Sequence, residues 1–164
     1  MDWVELPGRQ IEIAVAPVAR ADCARFAQET GRPIPPKSGS SMSPVTGVCV
    51  EEASAFAEWL SQQGGHSYRL PALEEMRALA DRAHNGLQAS GGPFGLQRYV
   101  VTGDVLTLSE WLQCLPEQGD GHNRLHCITF PSWLQPDSGA SAQGALSEGR
   151  YPFVTFRLVR TNGT

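Results

Sequence analysis

The chain lacks any apolar run approaching the roughly 20 residues that a membrane-spanning helix needs. Its first ten residues, MDWVELPGRQ, contain neither the basic segment nor the apolar segment of a secretory signal peptide. Both absences argue against a membrane-bound or secreted protein. We therefore expect a cytoplasmic protein that does not contact a membrane.

Charge is also scarce, because only 18% of the 164 residues are charged. The 13 Lys and Arg residues are outnumbered by 17 Asp and Glu residues, which gives a net charge of −4 at pH 7. A nucleic-acid-binding domain concentrates its basic residues in a patch or stripe, so direct binding of nucleic acid is not expected. The 41% hydrophobic content fits one globular domain over residues 1–164.

Cysteine is the next scarce residue: the four cysteines are too few and too scattered for a disulfide scaffold. Cys23 falls on the apolar face of a predicted helix and Cys49 in the run VCV, so both are predicted to be buried. Cys114 and Cys127 stand at the two ends of the segment CLPEQGDGHNRLHC. A disulfide between them needs an oxidising setting, which a cytoplasmic location disfavours.

The same segment contains two histidines, so Cys114, His122, His126 and Cys127 offer four zinc donors within fourteen residues. The spacing is poor for zinc, because no Cys-x-x-Cys pair is present. His126 and Cys127 are also neighbours, whose side chains would face opposite ways in a strand. We favour the alternative of partly buried cysteines and two surface histidines in a Gly-rich loop, and zinc is kept as the second candidate.

Apolar periodicity predicts helices in the first half of the chain and short strands with long loops in the second. The helical frame covers about residues 20–85 and the irregular half about 86–160. Asp22 is expected to cap the first helix, and Pro71 is expected to start the third. The predicted helices are 21–31, 51–65 and 71–86, and the predicted strands are 11–15, 45–50, 98–101, 125–130 and 153–159.

Three segments resemble, in the right order, the formylglycine-generating enzyme (sulfatase-modifying factor) family. They are SPVTGVCVEEASAFAEWL (43–60), YRLPALEEMRALA (68–80) and FRLVR (156–160). In the second segment, the family's Tyr-Arg-Leu-Pro-Thr-Glu-Ala-Glu pattern is matched at Tyr68, Arg69, Leu70, Pro71 and Glu75. Weaker similarities are SEWLQC (109–114), for the family's Glu-Trp segment, and PSW (131–133), for its Gly-Gly-Ser-Trp segment.

The resemblance implies an α+β fold, the formylglycine-generating-enzyme-like variant of the C-type-lectin-like fold, in a single compact domain. Arg69 follows a strand and precedes a helix, so it is expected to be largely buried, with Glu75 or backbone carbonyls as its partners. Pro71, Glu110 and Trp111 are expected to serve the fold as well.

The four tryptophans are expected to divide into two pairs. Trp59 and Trp111 match family positions that are interpreted as core positions, whereas Trp3 and Trp133 are candidates for exposure.

Active members of this family use copper held by two cysteines shortly after the Gly-Gly-Ser-Trp segment. The corresponding stretch here, FPSWLQPDSGASAQGALSEGRY, contains no cysteine. Soft thiolates suit Cu(I), so the loss of both is not a conservative change. The family's calcium site is not matched either, because LTLSEWL lacks the asparagine usually found ahead of Glu-Trp. No cofactor is expected, and zinc, calcium and copper are the alternatives.

The sequence therefore predicts a non-catalytic recognition domain, a pseudoenzyme that binds a protein or peptide partner within a larger complex. Family members that act as recognition modules in bacteria make this reading plausible by analogy. Loop aromatics and arginines are the usual material of contact surfaces. The candidate partner-binding residues are Trp133, His122, Arg124 and Arg150. The alternative is a divergent metal-dependent oxidase or oxygenase that uses the Cys/His segment.

Overall fold

A computed structural model of the chain describes residues 1–33, 40–79, 100–101, 104–105, 109–113, 125–130 and 141–162. The helices are α1 (Arg20–Thr30), α2 (Val50–Gln62) and α3 (73–79). The strands are β1 (Trp3–Glu5), β2 (Ile11–Ala14), β3 (His66–Arg69), β4 (Val100–Val101), β5 (Asp104–Val105), β6 (Ser109–Trp111), β7 (Leu125–Phe130), β8 (Ser141–Leu146), β9 (Val154–Thr155) and β10 (Val159–Asn162).

The first sheet is antiparallel and has the strand order β1-β2-β10-β3. Its last strand in sequence, β10, lies between β2 and β3, so Val159 is opposite Ile13 on one side and Arg69 on the other. One face of this sheet packs on α3 through a small apolar core that contains Ile13, Met76 and Val159. The sheet thus joins the two ends of the described chain.

The second sheet has the order β8-β7-β6-β9, and β4 and β5 form a separate two-stranded ladder. β6 pairs with β9 in parallel, whereas β7 pairs antiparallel with both β6 and β8. Trp111 on β6 is fully buried, and its indole N–H donates to the Val48 carbonyl at 2.9 Å. This bond anchors the second sheet to the segment that precedes α2.

α2 is the element whose sequence and structure agree most closely. Ala53, Phe56 and Ala57 fall on one face and are buried in the larger core, as their spacing predicts. Glu52 accepts a hydrogen bond from the Cys49 N–H at 3.1 Å, which completes a capping box at the start of the helix. The chain leaves the helix through Gly64, whose φ of 102° favours a residue without a side chain.

Four predictions of secondary structure need correction. Asp22 lies in the first turn of α1, whose N-cap is Ala19 without a side-chain cap. α3 begins at residue 73 and not at Pro71, and its N-cap is Ala72, whose carbonyl accepts from the Met76 N–H at 3.1 Å.

The segment 45–50 is not a strand, because Val50 already belongs to α2 and the residues before it are irregular. Val45 and Val48 are buried as deeply as strand residues, which explains the misleading apolar run.

The segment 153–159 also differs from the prediction, because it is not one strand. Val154 and Thr155 form β9 in the second sheet, and Val159 begins β10 in the first sheet. Between them, Phe156, Arg157 and Leu158 are all buried, since the chain passes through the interior from one sheet to the other. This crossing sets up the buried ion pair described next.

Candidate functional site

Three arginines each bind one glutamate through two hydrogen bonds, and these bidentate pairs connect the segments that carry the sequence motifs. They are Arg69–Glu75, Arg157–Glu110 and Arg150–Glu52. A bidentate arginine–carboxylate pair fixes geometry as well as charge, so all three contribute to the rigidity of the domain.

The first bidentate pair is the one expected at the best-matched motif. Arg69 donates to the two carboxylate oxygens of Glu75 at 2.8 and 2.6 Å and to the Leu70 carbonyl at 3.1 Å. Glu75 also accepts from the Ala72 N–H at 2.7 Å, so one carboxylate both caps α3 and holds the arginine. Burial raises the pKa of Glu75, but the bonds from Arg69 and Ala72 outweigh it and lower the pKa below its ordinary value.

Arg69 was expected to be largely buried, but it is more exposed than that. Its side chain is 35% exposed, whereas that of Glu75 is only 4% exposed. The guanidinium therefore covers the carboxylate from the solvent side, which explains why the acid and not the base is enclosed.

The second bidentate pair is fully buried, with side-chain exposures of 0% for Arg157 and 2% for Glu110. Two donor atoms of Arg157 bind the Glu110 carboxylate at 2.6 Å each. A third donates to the carbonyls of Ala14 and Val15 at 3.2 and 3.1 Å. Since Glu110 lies on β6 and Ala14 on β2, this arginine joins the two sheets. The pair unites the Glu-Trp segment with the FRLVR segment and has a structural role.

The third bidentate pair engages Arg150, one of the residues expected to contact a partner. Arg150 donates to Glu52 at 2.7 and 2.6 Å and to the Gly47 carbonyl at 3.4 Å. Its side chain is half exposed, yet its fork is already occupied within the chain. Because Glu52 also caps α2, the pair ties the β8–β9 connection to the start of that helix.

A row of aromatic rings next to this pair leads from the core to the surface. The ring of Tyr151 lies 6.1 Å from that of buried Trp111 and 5.8 Å from that of Phe153, measured between centroids. Phe153 is 44% exposed. The predicted strand 153–159 included Phe153, and this row of rings was not predicted. The run Arg-Tyr-Pro-Phe at the end of a loop of small residues is the sequence feature that could have indicated it.

A second aromatic group lies on the first sheet and corrects the expectation that Trp3 is free at the surface. Trp3 is half-buried, its ring lies 5.7 Å from that of Tyr68, and the Arg160 guanidinium stacks 4.6 Å from its centroid. Arg160 also donates to Glu12 at 2.6 Å. Trp3 therefore packs within the domain, in contact with Tyr68 and Arg160.

The two cysteines with described side chains lie in the interior of the domain. Cys23 and Cys49 are free and buried, as predicted. Burial raises the pKa of Cys23 to about 11, so its reactive thiolate form is rare near neutral pH. Among the residues with described side chains, no three of His, Cys, Asp or Glu converge on a metal position.

The remaining sequence candidates lie largely outside the described residues. This applies to Trp133, His122, Arg124 and Cys114, while His126 and Cys127 are consecutive residues of β7.

In the described parts of the chain, no helix has the length and apolar character needed to cross a membrane.

Comparison with known proteins shows the family of this chain and a solved structure of similar fold. The family model for the sulfatase-modifying factor enzyme 1-like domain matches residues 4–111, which is more than half of the chain. The chain belongs to this family. Among curated proteins, none matches its sequence.

A solved structure supports the same fold. The structure of PvdO from Pseudomonas aeruginosa superimposes with a TM-score of 0.59 at 15% sequence identity, covering 92% of this chain and 80% of that one. At this identity the likeness concerns the fold alone. The chain is an α+β domain with the formylglycine-generating-enzyme-like fold.

Proposed function

We propose that this domain is a non-catalytic member of its family that recognises a protein or peptide partner. The observation that carries the proposal is the absence of cysteine after Cys127 in the sequence. The resemblance assigns the copper-binding thiolate pair to the stretch that follows Trp133, where Leu134, Gln135 and Pro136 stand instead. None of these side chains is a copper ligand of comparable softness.

The donor set does not fit copper elsewhere among the described residues. Cys23 lies in the larger hydrophobic core, and Cys49 is buried at the N-cap of α2. Each of these two thiols is explained by packing or capping. We therefore derive no oxidation step through copper for this chain.

The proposal of recognition is supported by the bidentate arginine–glutamate pairs, which join separate segments into a frame. Each bidentate pair joins two segments: Arg69–Glu75 fixes a strand to a helix start, and Arg157 fixes one sheet to the other. Such a frame fixes the described segments that it joins, and a fixed surface loses less entropy when a partner binds. Trp133, His122 and Arg124 remain proposed contacts in the second half of the chain.

The catalytic part of the proposal is tested by incubating a sulfatase-type cysteine peptide with the protein and copper, followed by mass spectrometry. We expect a peptide of unchanged mass. Replacement of the thiol by an aldehyde would refute the proposal.

The recognition part is tested by capture of the partner from the native host. Trp133→Ala, shown by circular dichroism to be folded, is expected to weaken capture. Glu58→Ala, on the exposed face of α2, is the matched control and is expected to capture normally.

The second candidate, a metal-dependent oxidase or oxygenase, rests on the four donors between Cys114 and Cys127. Elemental analysis of the purified protein separates the two functions. The recognition proposal expects far less than one equivalent of zinc, copper or iron. A stoichiometric metal that is lost in Cys114→Ala and His122→Ala would favour the oxidase.

A further inference from the structure

Two arginines on the outer side of α1 and α2 are stacked on adjacent aromatic rings. Arg25 lies on α1, and its guanidinium carbon is 5.2 Å from the centroid of the Trp59 ring. Arg32 follows α1, and its guanidinium carbon is 5.7 Å from the centroid of the Phe26 ring. The two ring centroids are 5.5 Å apart. The contacts therefore place both guanidiniums on one surface, and we call Arg25 and Arg32 the stacked arginines.

The rings beneath the stacked arginines belong to the larger core and have fixed positions. Phe26 and Trp59 are both buried, and each packs on Phe56, with centroids 5.5 and 5.4 Å apart. The Trp59 indole N–H donates to Glu29 at 3.2 Å, which joins α2 to α1. Each ring thus gives its guanidinium a rigid support.

The backbone of the stacked arginines is held as well. Arg25 lies within α1, and Arg32 donates its backbone N–H to the Ala27 carbonyl at 3.0 Å. Gly31, between the helix and Arg32, has a φ of 69°, which a residue without a side chain adopts at little cost. A helix and its C-terminal turn therefore present both guanidiniums.

The N–H groups of the stacked arginines lack acceptors within the described residues. Both side chains are exposed, and each contacts the described chain through its ring alone, without a hydrogen bond or an ion pair. Five other arginines each bind a carboxylate: Arg9, Arg69, Arg150, Arg157 and Arg160. The stacked arginines thus carry two charges and a set of donors that the described contacts leave unused.

Two acids lie near Arg25 in sequence but do not pair with it. Asp22 comes three residues before it on α1, and Glu29 comes four residues after it. Neither forms an ion pair with a stacked arginine, and Glu29 instead accepts from Trp59. Glu29 weakens the positive potential of this surface without cancelling both charges.

The unused donors select an anion, because a guanidinium fork matches a carboxylate or a phosphate. Nucleic acid is disfavoured, because the chain has a net charge of −4 and a nucleic-acid-binding surface has a basic patch or stripe. A short acidic protein segment needs only two cations. Since the rings beneath are buried, the segment gains little from apolar residues between its acids.

Resting on the proposed recognition function, we propose that the stacked arginines bind a short acidic segment of a partner protein through two of its carboxylates. Each guanidinium presents its N–H edge to one carboxylate, while the aromatic ring contacts its face. Because the ring already restricts the arginine, less side-chain entropy is lost on binding than for an unrestrained surface arginine.

The probe is a fluorescein-labelled dodecapeptide that repeats glutamate, serine and glycine, titrated with the full chain while its fluorescence anisotropy is measured. A control peptide has glutamine in place of glutamate. We expect the glutamate peptide to bind at least about fivefold more tightly than the control. Its affinity should fall as salt rises from about 0.05 to about 0.5 M. Equal binding of the glutamine peptide would overturn the proposal.

A single-stranded DNA oligonucleotide of similar length tests the phosphate alternative in the same titration. We expect it to bind more weakly than the glutamate peptide. Tighter binding of the oligonucleotide would overturn an acidic protein segment as the occupant of this surface.

Variants then locate the site. Arg25→Gln and Arg32→Gln are each expected to raise Kd for the glutamate peptide by about threefold at low salt, and the double variant by about tenfold. The matched control is Arg9→Gln, which removes an exposed arginine that is already paired with Glu74 and should leave Kd unchanged. Equal effects of Arg9→Gln and Arg25→Gln would overturn the assignment of the surface.

One further variant should bind more tightly, which unfolding cannot imitate. Glu29→Gln removes the negative charge beside the stacked arginines and keeps an oxygen that accepts from the Trp59 indole. It is expected to lower Kd by about twofold. Glu148→Gln, which neutralises another exposed acid, is its control and should have no effect. Weaker binding by folded Glu29→Gln would contradict the proposal.

The outcome for the proposed function is read separately. Capture of the native partner at wild-type strength by the double variant Arg25→Gln and Arg32→Gln would sink this surface and leave recognition intact. Conversion of a cysteine peptide to the aldehyde would sink non-catalytic recognition and leave the titration unaffected.

Discussion

Removal of the buried arginine offers the sharpest test of how this domain is held together. Arg157→Met replaces the guanidinium by an apolar side chain of similar length and leaves Glu110, only 2% exposed, without its partner. It also removes the donor to the Ala14 and Val15 carbonyls. Breaking a buried ion pair from one side costs about 3–5 kcal/mol.

The loss of the carbonyl contacts adds about 1 kcal/mol, so we expect a total near 4–6 kcal/mol. Because a domain of this kind is stable by about 5–15 kcal/mol, Arg157→Met should remove a large part of that stability. Urea unfolding followed by tryptophan fluorescence measures the effect.

Two further variants separate the causes. Arg157→Met combined with Glu110→Gln should recover about 2 kcal/mol or more of the loss, since no unpaired charge is then buried. Arg9→Met, which breaks a surface pair whose arginine is 41% exposed, should change stability by less than about 1 kcal/mol. If Arg157→Met were no more destabilising than Arg9→Met, the buried pair would not join the sheets as described.

Three further predictions concern the other described groups. Arg69→Ala should lower the free energy of unfolding by about 1–2 kcal/mol, which is less than for a buried pair. Arg69 is 35% exposed, so water can screen the Glu75 carboxylate once the arginine is removed. Thermal denaturation measures the loss. The pKa of Glu75 is lower in the folded state, so its contribution to stability is complete above its ordinary value of 4.5 and is lost as pH falls through the folded value. Glu75→Gln should therefore show a smaller loss of stability between about pH 6 and pH 3, and an unchanged slope would contradict this. The Cys23 pKa of about 11 lies above the ordinary 9.0, so the stabilising effect of this thiol is complete below pH 9.0 and is lost as pH rises towards 11. Alkylation of Cys23 at pH 8 should be slow until the chain is unfolded. Rapid labelling of the native protein would count against burial.

Local patterns were readable from the sequence where one residue's environment depends on its near neighbours. The spacing of Ala53, Phe56 and Ala57 predicts the buried face of α2, and β7 spans the predicted 125–130. The pairing of Arg69 with Glu75 was readable for the same reason, since only six positions separate them.

Long-range features were not readable in this way. Arg157 alternates with apolar residues as a solvent-facing residue would, and its partner Glu110 is 47 positions away. The apolar run at 45–50 resembles a buried strand because its residues are buried. An apolar run indicates burial, but it does not show whether the backbone pairs with another strand. The aromatic row depends on rings from β6 and from the connection after β8, which no local period brings together.

The position of β10 has a consequence for how the protein is made. During synthesis, β1, β2 and β3 leave the ribosome well before Val159, yet β2 and β3 meet only through β10. The first sheet therefore cannot close until nearly the whole described chain has emerged. Contacts of such large sequence separation slow folding, and the unpaired edges of β2 and β3 stay exposed meanwhile. A ribosome-bound chain ending at Tyr151 should be open to protease along β2, whereas release of the full chain should close it within one cooperative step.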